Sequence, residues 1–189
     1  KGDFMKLELL EIPDIKLLYP KKFEDERGFF SETYNQKMFS EIGIDTKFVQ
    51  DNQSLSRKVG VLRGLHFQKA PFAQDKLIRV IRGSILDVAV DIRVGSPTFG
   101  KNVFAEISSD KWNQIFVPVG FAHGFVTLEP DTEVHYKVSN TYAPETECSI
   151  RWDDPYLDID WQIDPTKVTV SEKDSNAISF AEYCRNPAF

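Results

Sequence analysis

Turn-forming residues recur along this 189-residue chain at intervals too short for long helices. The segments between them are rich in Val, Ile, Phe and Tyr, and this spacing is typical of an all-β sandwich or barrel. Aromatic residues make up 13% of the chain, which suits β-structure and a lined pocket better than a helical bundle. We therefore predict an all-β fold. The turn residues are Pro20, Gly28, Gly43, Gly60, Gly83, Gly95, Pro97, Gly100, Pro118, Gly120, Pro130 and Pro144.

Two helices interrupt the predicted strands. The first runs from Gln36 to Ile42, with Asn35 as its N-cap and Gly43 as the residue that ends it. The second runs from about Glu172 to Tyr183. The length suits one core, and no repeat or linker divides the chain, so residues 1–189 are predicted to form a single domain. Residues 1–4 precede a methionine and are interpreted as a candidate tag remnant.

Charge and hydropathy exclude several classes of protein. Lys and Arg number 23 against 29 Asp and Glu, and this net charge of −6 argues against a nucleic-acid partner. No apolar run approaches the ~20 residues of a membrane span, so no membrane partner is expected. Only Cys148 and Cys184 are available for a disulfide, and no secretory signal begins the sequence, so we expect a cytoplasmic protein.

Three segments with strand character carry most of the chemistry. In the segment from Val61 to Gln68, an Arg, a His and a Gln stand inside an apolar run, and Gly64 is placed to form a bulge. In the segment from Ser84 to Arg93, the even positions form an apolar face, and the opposite face carries two aspartates. In the segment from Thr132 to Val138, Tyr136 points in the same direction as the valines, toward the interior.

Each candidate residue also has a purely structural interpretation. His66 suits a general base near neutral pH, and Arg63 lies three residues before it, yet strand histidines are often packing residues. Tyr136 is equally compatible with core packing. Asp174 completes a Ser-x-x-Asp capping box that starts at Ser171, which explains it without any function. Asp87 is expected to lie either in a pocket or, more commonly, on a solvated face.

Metal binding is not expected. The segment from Pro118 to His123 resembles the second motif of metal-binding cupins, but the first motif is broken, because Phe67 and Gln68 follow His66 where a second histidine belongs. Two histidines without a carboxylate or thiolate make a poor metal site.

Several ordered motifs closely resemble the dTDP-4-dehydrorhamnose 3,5-epimerases. The similarity runs from about Phe23 to Asp174, which is most of the chain. The motifs are Asp25-Glu26-Arg27-Gly28-Phe29-Phe30, Gln50-Asp51-Asn52, Gly60-Val61-Leu62-Arg63-Gly64-Leu65-His66, Ala73-Gln74-Asp75-Lys76-Leu77, Pro118-Val119-Gly120-Phe121-Ala122-His123-Gly124-Phe125, Tyr136-Lys137, Tyr142-Ala143-Pro144-Glu145-Thr146-Glu147, Trp152-Asp153-Asp154-Pro155 and Ser171-Glu172-Lys173-Asp174.

The resemblance implies a cupin-like double-stranded β-helix, or jelly roll, with a few short helices. It also implies a homodimer with exchanged N-terminal strands and no metal or organic cofactor. The implied reaction inverts C3 and C5 of dTDP-4-dehydro-6-deoxy-D-glucose to give dTDP-4-dehydro-L-rhamnose.

The same resemblance implies a role for each matching residue. His66 would be the base, oriented by Asp174, while Lys76 would stabilise the enolate oxygen and Tyr136 would return a proton to the opposite face. The residues expected to hold the nucleotide sugar are Arg27, Glu32, Gln50, Asp51, Asn52, Arg63, His123, Tyr142, Glu147 and Lys173.

Three other functions remain open at this point. A single-centre epimerase that acts at C3 or C5 alone would keep the same catalytic pair. A 3,4-ketoisomerase is disfavoured by the presence of Tyr136 opposite His66. A non-catalytic carbohydrate-binding jelly roll leaves the set of His66, Lys76, Tyr136 and Asp174 unexplained.

Overall fold

The computed structural model describes residues 5–189, so the candidate tag remnant at residues 1–4 lies outside the described residues. The strands are β1 (Met5–Leu9), β2 (Lys16–Pro20), β3 (Phe23–Asp25), β4 (Gly28–Phe30), β5 (Gln50–Ser56), β6 (Leu62–Gln68), β7 (Lys76–Arg82), β8 (Ser84–Asp91), β9 (Asn102–Ser108), β10 (Gln114–Val117), β11 (Phe121–Thr127), β12 (Thr132–Val138) and β13 (Glu147–Ser149). The helices are α1 (Gln36–Glu41), α2 (Glu172–Ser175) and α3 (Phe180–Tyr183), and the 3-10 turns are Pro144–Thr146 and Pro165–Lys167.

Two antiparallel sheets pack face to face. The larger sheet has the order β1-β2-β10-β7-β12-β5, and the smaller has the order β13-β6-β11-β8-β9. Ile78 and Val134 of the larger sheet share one buried apolar cluster with Ile85, Ala89 and Phe125 of the smaller sheet. Side chains alternate across each strand, so one face of every central strand points into this space between the sheets. The predicted all-β fold is confirmed.

Strand β8 is buried on both faces. Leu86, Val88 and Val90 pack in a second apolar cluster, against Trp161 and Phe180 of the C-terminal segment. The opposite face points between the two sheets, because Ile85 and Ala89 belong to the shared cluster. The predicted apolar face is therefore confirmed, and the second face is an interior surface as well.

The first predicted helix is confirmed and the second is wrong in its extent. Asn35 caps α1, since its side-chain oxygen accepts hydrogen bonds from two backbone amides of the first turn. The C-terminal helix is interrupted between Ser175 and Phe180. Ile178 forms a parallel β-bridge with Ile150 in this interval, and Ser179 then caps α3, so the backbone leaves the helical conformation to join the sheet edge.

Gly64 forms the predicted irregularity in β6. The register between β6 and β11 shifts between His123 and Phe125, opposite Gly64. Gly64 has a φ of +138°, and a Cβ at this position would lie 2.5 Å from the Cα of Gly124. Only glycine therefore allows the two strands to approach this closely.

The β3–β4 hairpin lies outside both sheets and carries exposed aromatic side chains. Phe29 and Phe30 are 52% and 67% exposed, and Arg27 at the turn pairs with Asp25. No helix among residues 5–189 is long and apolar enough to cross a membrane.

Candidate active site

A cleft of about 540 Å³ opens between the two sheets, at the end where α2 approaches β6. A smaller cavity of about 320 Å³ adjoins it and shares His66, Lys76 and Tyr136 with it. The two sheets contribute different groups to the walls. Arg63, His66 and His123 come from the smaller sheet, and Ser54, Lys76 and Tyr136 come from the larger sheet.

His66 and Asp174 form a hydrogen-bonded pair at the wall of this cleft. His66 Nε2 lies 2.6 Å from Asp174 Oδ1, and the second carboxylate oxygen accepts a hydrogen bond of 3.2 Å from the backbone N–H of Gly64. Burial acts to raise the pKa of Asp174, but the hydrogen bonds from His66 and Gly64 outweigh it and hold that pKa below its usual value. Asp174 is thus a buried carboxylate that fixes the imidazole ring.

Lys76 begins β7 and places its ammonium group at the cleft. The residue is only 9% exposed, and burial lowers the pKa of Lys76 to about 8, against the pull of the carboxylates of Asp87 and Glu147. In the described part of the chain, no carboxylate lies within ion-pair distance of its Nζ. The cleft therefore holds a cation that is largely shielded from water.

Tyr136 reaches the cleft from β12, on the sheet opposite His66. Burial raises the pKa of Tyr136, and Glu147 adds to that effect while Arg63 opposes it. Among the described residues, none hydrogen-bonds the Tyr136 hydroxyl. The hydroxyl is protonated at neutral pH and free to bind a ligand.

His123 forms a second histidine–carboxylate pair beside the first. It stands directly opposite His66 in the register between β11 and β6. Its Nε2 lies 2.7 Å from Oδ2 of Asp87, which is fully buried. The prediction that a solvated face is the commoner place for Asp87 is therefore wrong. Within residues 5–189, no group of three or more His, Cys, Asp or Glu side chains is arranged to hold a metal ion.

Three polar side chains form a linked group at the mouth of the cleft. The Tyr142 hydroxyl donates a 2.7 Å hydrogen bond to Glu147 Oε2, and Lys173 Nζ lies 2.5 Å from the same oxygen. Burial opposes ionisation of Glu147, but the bonds to Lys173 and Tyr142 hold its pKa below the usual value. Tyr142 is 55% exposed, so its ring is available to a ligand that enters the mouth.

The structure brings together most of the residues predicted to bind substrate. Gln50 and Asn52 line the smaller cavity and are hydrogen-bonded to each other. Asp51, between them on β5, points to the opposite face of the sheet and pairs with Lys137. Arg27 and Glu32 lie on the exposed N-terminal segment, and neither lines the cleft of its own chain.

Sequence analysis gave no functional signal for some residues that line the cleft. Ser54 and Thr169 are two of them, and no motif distinguished them from ordinary strand or loop residues. Asp87 was named as a candidate, and the structure places it behind the cleft wall rather than in it. The signal for its interior position was that it interrupts a strand whose positions Ile85 and Ala89, on the same face, are apolar.

Comparison with known structures places this fold and cleft in a class. The structure of dTDP-6-deoxy-D-glucose-3,5-epimerase from Legionella pneumophila, in complex with dTDP-4-keto-L-rhamnose, is similar with a TM-score of 0.88 at 45% identity and covers 93% of this chain and 92% of that one. A 3'-monoepimerase from Streptomyces bikiniensis, in complex with dTDP-quinovose, is similar with a TM-score of 0.85 at 32% identity. The match covers 94% of this chain and 89% of that one. The fold and the site therefore define an isomerase of the cupin-type epimerase class.

The sequence comparisons identify the family within this class. Residues 9–182 match the family model described as dTDP-4-dehydrorhamnose 3,5-epimerase. The enzyme of that name from Sinorhizobium fredii is 51% identical over 180 residues, which are 95% of this chain and 92% of the relative. The chain belongs to the dTDP-4-dehydrorhamnose 3,5-epimerase family, and the predicted cupin-like fold is confirmed.

Proposed function

We propose that the protein inverts C3 and C5 of dTDP-4-dehydro-6-deoxy-D-glucose and so produces dTDP-4-dehydro-L-rhamnose. The observation that carries this proposal is the placement of His66 and Tyr136 on opposite sheets of one cleft. A base on one side of a sugar ring and an acid on the other side are the minimum requirement for inversion at carbon. Family membership and the product-bound Legionella pneumophila structure support this choice of substrate.

The first half of each inversion removes a proton. Neutral His66 takes the proton from C3 or C5. The electron pair of the broken C–H bond forms a double bond to C4, and the negative charge of the resulting enolate lies on the 4-keto oxygen. Asp174 orients the ring of His66 and stabilises the imidazolium that forms, across the 2.6 Å hydrogen bond. The ammonium of Lys76 stabilises the developing oxyanion, and its shielding from water strengthens that interaction.

The second half returns a proton to the opposite face. The Tyr136 hydroxyl donates its proton to the same carbon, and the enolate electrons form the new C–H bond while the C4 ketone is restored. The elevated pKa of Tyr136 keeps this hydroxyl protonated at neutral pH. Proton exchange with solvent then returns the imidazolium and the tyrosinate to their starting states before the second carbon reacts.

The mouth of the cleft suits the nucleotide diphosphate. Lys173 and Arg63 supply positive charge at the cleft, and Gln50 and Asn52 supply amide groups in the adjoining cavity. The exposed ring of Tyr142 offers a flat surface for a base. We propose that these groups, with His123 and Glu147, hold the dTDP portion and the sugar.

We further propose that the site is completed by a second copy of the chain, in a homodimer with exchanged N-terminal strands. Arg27 and Glu32 do not line the cleft of their own chain, and the hairpin that bears Arg27 exposes Phe29 and Phe30. Exposed aromatic side chains grouped on one hairpin are typical of a surface that another protein covers. Arg27 would then reach the diphosphate in the cleft of the partner subunit.

We also propose a cytoplasmic location, which the two unpaired cysteines support. Cys148 and Cys184 are both free thiols in the structure. Free thiols persist in a reducing compartment.

Solvent deuterium exchange tests the proposed reaction. The protein is incubated with dTDP-4-dehydro-6-deoxy-D-glucose in deuterated water, and deuterium is measured at C3 and C5 by NMR. We expect incorporation at both carbons and formation of dTDP-4-dehydro-L-rhamnose. His66→Ala should abolish exchange at both carbons, whereas Tyr136→Phe should reduce inversion more than exchange. Equal losses of exchange and inversion in the two variants would contradict the separate base and acid roles.

A single-centre epimerase is the second candidate, because the Streptomyces bikiniensis 3'-monoepimerase has a similar structure. Incorporation of deuterium at only one carbon would select this function. Exchange at neither carbon, with the nucleotide sugar still bound in calorimetry, would select the carbohydrate-binding jelly roll. Transfer of the keto group to C3 would select the 3,4-ketoisomerase.

A further inference from the structure

Asp87 is a fully buried carboxylate for which the proposed reaction has no direct use. It lies in the middle of β8, on the face that also carries the apolar Ile85 and Ala89. Its Oδ2 is hydrogen-bonded to His123 Nε2 at 2.7 Å. Its Oδ1 is buried and has no hydrogen-bond partner among residues 5–189.

A carboxylate in this position is unfavourable for folding alone. Burial without water removes the solvation of the charged form, and a buried acceptor without a donor adds to that cost. An apolar side chain would continue the surface that Ile85 and Ala89 form. The charge of Asp87 therefore points to a role in the electrostatics of the cleft.

Asp87 is linked to two groups of the cleft, to one by a hydrogen bond and to the other by electrostatic attraction. His123 is hydrogen-bonded to Asp87, and the Asp87 carboxylate opposes the effect of burial on Lys76 more strongly than Glu147 does. In turn, burial raises the pKa of Asp87, while His123 and Lys76 act to lower it. Asp87 thus lies behind the wall of the cleft, coupled to one side chain from β11 and one from β7. The other titratable or charged groups that line the cleft are Arg63 and His66 of β6, Tyr136 of β12, Tyr142 of the loop after it, Glu147 of β13 and Lys173 and Asp174 of α2.

We propose that Asp87 is a positioning residue that acts on the cleft through two neighbours, by fixing the tautomer of His123 and by holding Lys76 as an ammonium. An ionised carboxylate accepts a hydrogen bond, so His123 must carry its proton on Nε2 and present Nδ1 as an acceptor. The same negative charge favours the protonated form of Lys76. Only the consequence for catalysis, namely that Lys76 remains charged when the enolate forms, rests on the proposed function.

Replacement of the carboxylate by an amide tests the effect on Lys76 directly. Asp87→Asn removes the main negative charge that favours the protonated form of Lys76, so the pKa of Lys76 should fall. Trace acetylation with acetic anhydride over a pH series, quantified at Lys76 by mass spectrometry, measures this pKa without any substrate. We expect a midpoint near pH 8 for the wild type and a midpoint about one pH unit lower for Asp87→Asn. An unchanged midpoint in the folded variant overturns the proposal.

Two controls separate this effect from general loss of charge or stability. Asp91 is the second fully buried aspartate of β8, but it is hydrogen-bonded to Arg93, Ser96 and Thr98. Asp91→Asn should lower the melting temperature and leave the Lys76 midpoint unchanged. Glu147→Gln should move the midpoint in the same direction as Asp87→Asn, but less. A shift in Asp91→Asn as large as that in Asp87→Asn would overturn the specific role of Asp87.

The tautomer of His123 in the wild-type protein provides a test that needs no folded Asp87 variant. Histidine labelled with 15N distinguishes the two tautomers by NMR at a pH where the ring is neutral. We expect the Nε2–H form. The Nδ1–H form would mean that Asp87 is protonated and donates to Nε2, and this result overturns the proposal.

The pH profile of deuterium exchange links this inference to catalysis. If Lys76 must be charged, the alkaline limb of the exchange rate should lie at lower pH in Asp87→Asn than in the wild type. A limb at the same pH in both proteins contradicts the catalytic consequence. If the wild type exchanges at neither carbon, the proposed function fails, while acetylation and the His123 tautomer still decide the role of Asp87.

Discussion

Asp174 contacts three neighbours through different atoms. Its backbone N–H donates to the side-chain oxygen of Ser171, as the capping sequence predicts, while its carboxylate binds His66 and the amide of Gly64. The structural and the functional interpretation of this residue are therefore compatible. Sequence analysis could not separate them, because the approach of α2 to β6 joins residues more than 100 positions apart.

Separate substitutions of Asp174 and Ser171 distinguish the capping role of Asp174 from its role beside His66. Asp174→Asn keeps the cap but removes the ionised partner of His66, so deuterium exchange should fall by about 100-fold or more. Ser171→Ala removes the cap and should cost about 1 kcal/mol of unfolding free energy with exchange nearly retained. Exchange kinetics and urea denaturation measure these effects. If Asp174→Asn loses only stability, Asp174 has no role in the reaction.

Lys76 predicts a conflict between stability and activity. Its pKa is 10.5 in the unfolded chain and about 8 in the fold, so the protonated side chain destabilises the native state by about 3 kcal/mol at pH 7. Lys76→Met should therefore unfold at a higher urea concentration than the wild type at pH 7 and show no exchange.

The pH dependence of this difference follows from the sign of the shift. Between pH 8 and 10.5 the unfolded wild type binds more protons than the folded protein, so its stability rises with pH in that range. The advantage of Lys76→Met should be full below pH 8 and should disappear toward pH 10.5. Urea denaturation at pH 7, 9 and 10 measures it, and a constant advantage would contradict the shifted pKa.

At the scale of elements, the contact between β6 and β11 positions both histidine–carboxylate pairs. The irregularity at Gly64 turns its backbone N–H toward Asp174 and leaves His66 opposite His123. Gly64 and Gly124 meet across this contact, so neither strand carries a side chain between them. The geometry of the cleft wall therefore depends on two backbones in close approach.

Gly64→Ala should disrupt this contact. The added Cβ would lie 2.5 Å from Gly124 Cα and 2.9 Å from the His123 carbonyl oxygen. We expect a loss of roughly 3 kcal/mol or more, from overpacking and backbone strain together, and loss of exchange. Gly95→Ala is the matched control, with a φ of +85° and open space around the position, and should cost about 1–2 kcal/mol with exchange intact. Thermal denaturation and exchange rates compare the two, and equal losses would argue against a steric cause.

Strands were easier to predict than the ends of helices or the face of the sheet to which a single side chain points. The segment from Thr132 to Val138 is a strand with the predicted bounds, because its alternation is local information. The interruption of the C-terminal helix at Ile178 depends on a β-bridge to Ile150, which no local pattern shows. Asp51 was grouped with its two neighbours by motif, but strand alternation places it on the other face.

At the scale of the whole molecule, one chain supplies the chemistry of the cleft without all of its predicted binding groups. His66, Lys76, Tyr136 and Asp174 meet in one cleft, whereas Arg27 is exposed on the hairpin outside the sheets. The family resemblance predicts Arg27 as a binding residue, but it carries no information about which copy of the chain the residue would serve.

Complementation between one variant impaired in substrate binding and one without exchange activity tests the proposed dimer. Arg27→Ala should weaken substrate binding, and His66→Ala should abolish exchange. Chains of both variants, refolded together, should form mixed dimers in which one cleft has His66 from one chain and Arg27 from the other. Activity should therefore reappear, because one of the two clefts in each mixed dimer is complete. No recovery, or a monomer in light scattering, would contradict the exchange of Arg27 between copies.

If His66 and Tyr136 are the base and the acid, as proposed, their division between two sheets makes the stereochemical outcome a property of sheet packing. The apolar cluster shared by Ile78, Val134 and Ile85 sets the separation of the sheets and hence the distance from base to acid. Val134→Ala would leave every reacting group in place while loosening that separation. Its signature would be a lower yield of inverted product for each proton exchanged, so the fidelity of inversion would depend on a residue such as Val134, which does not line the cleft.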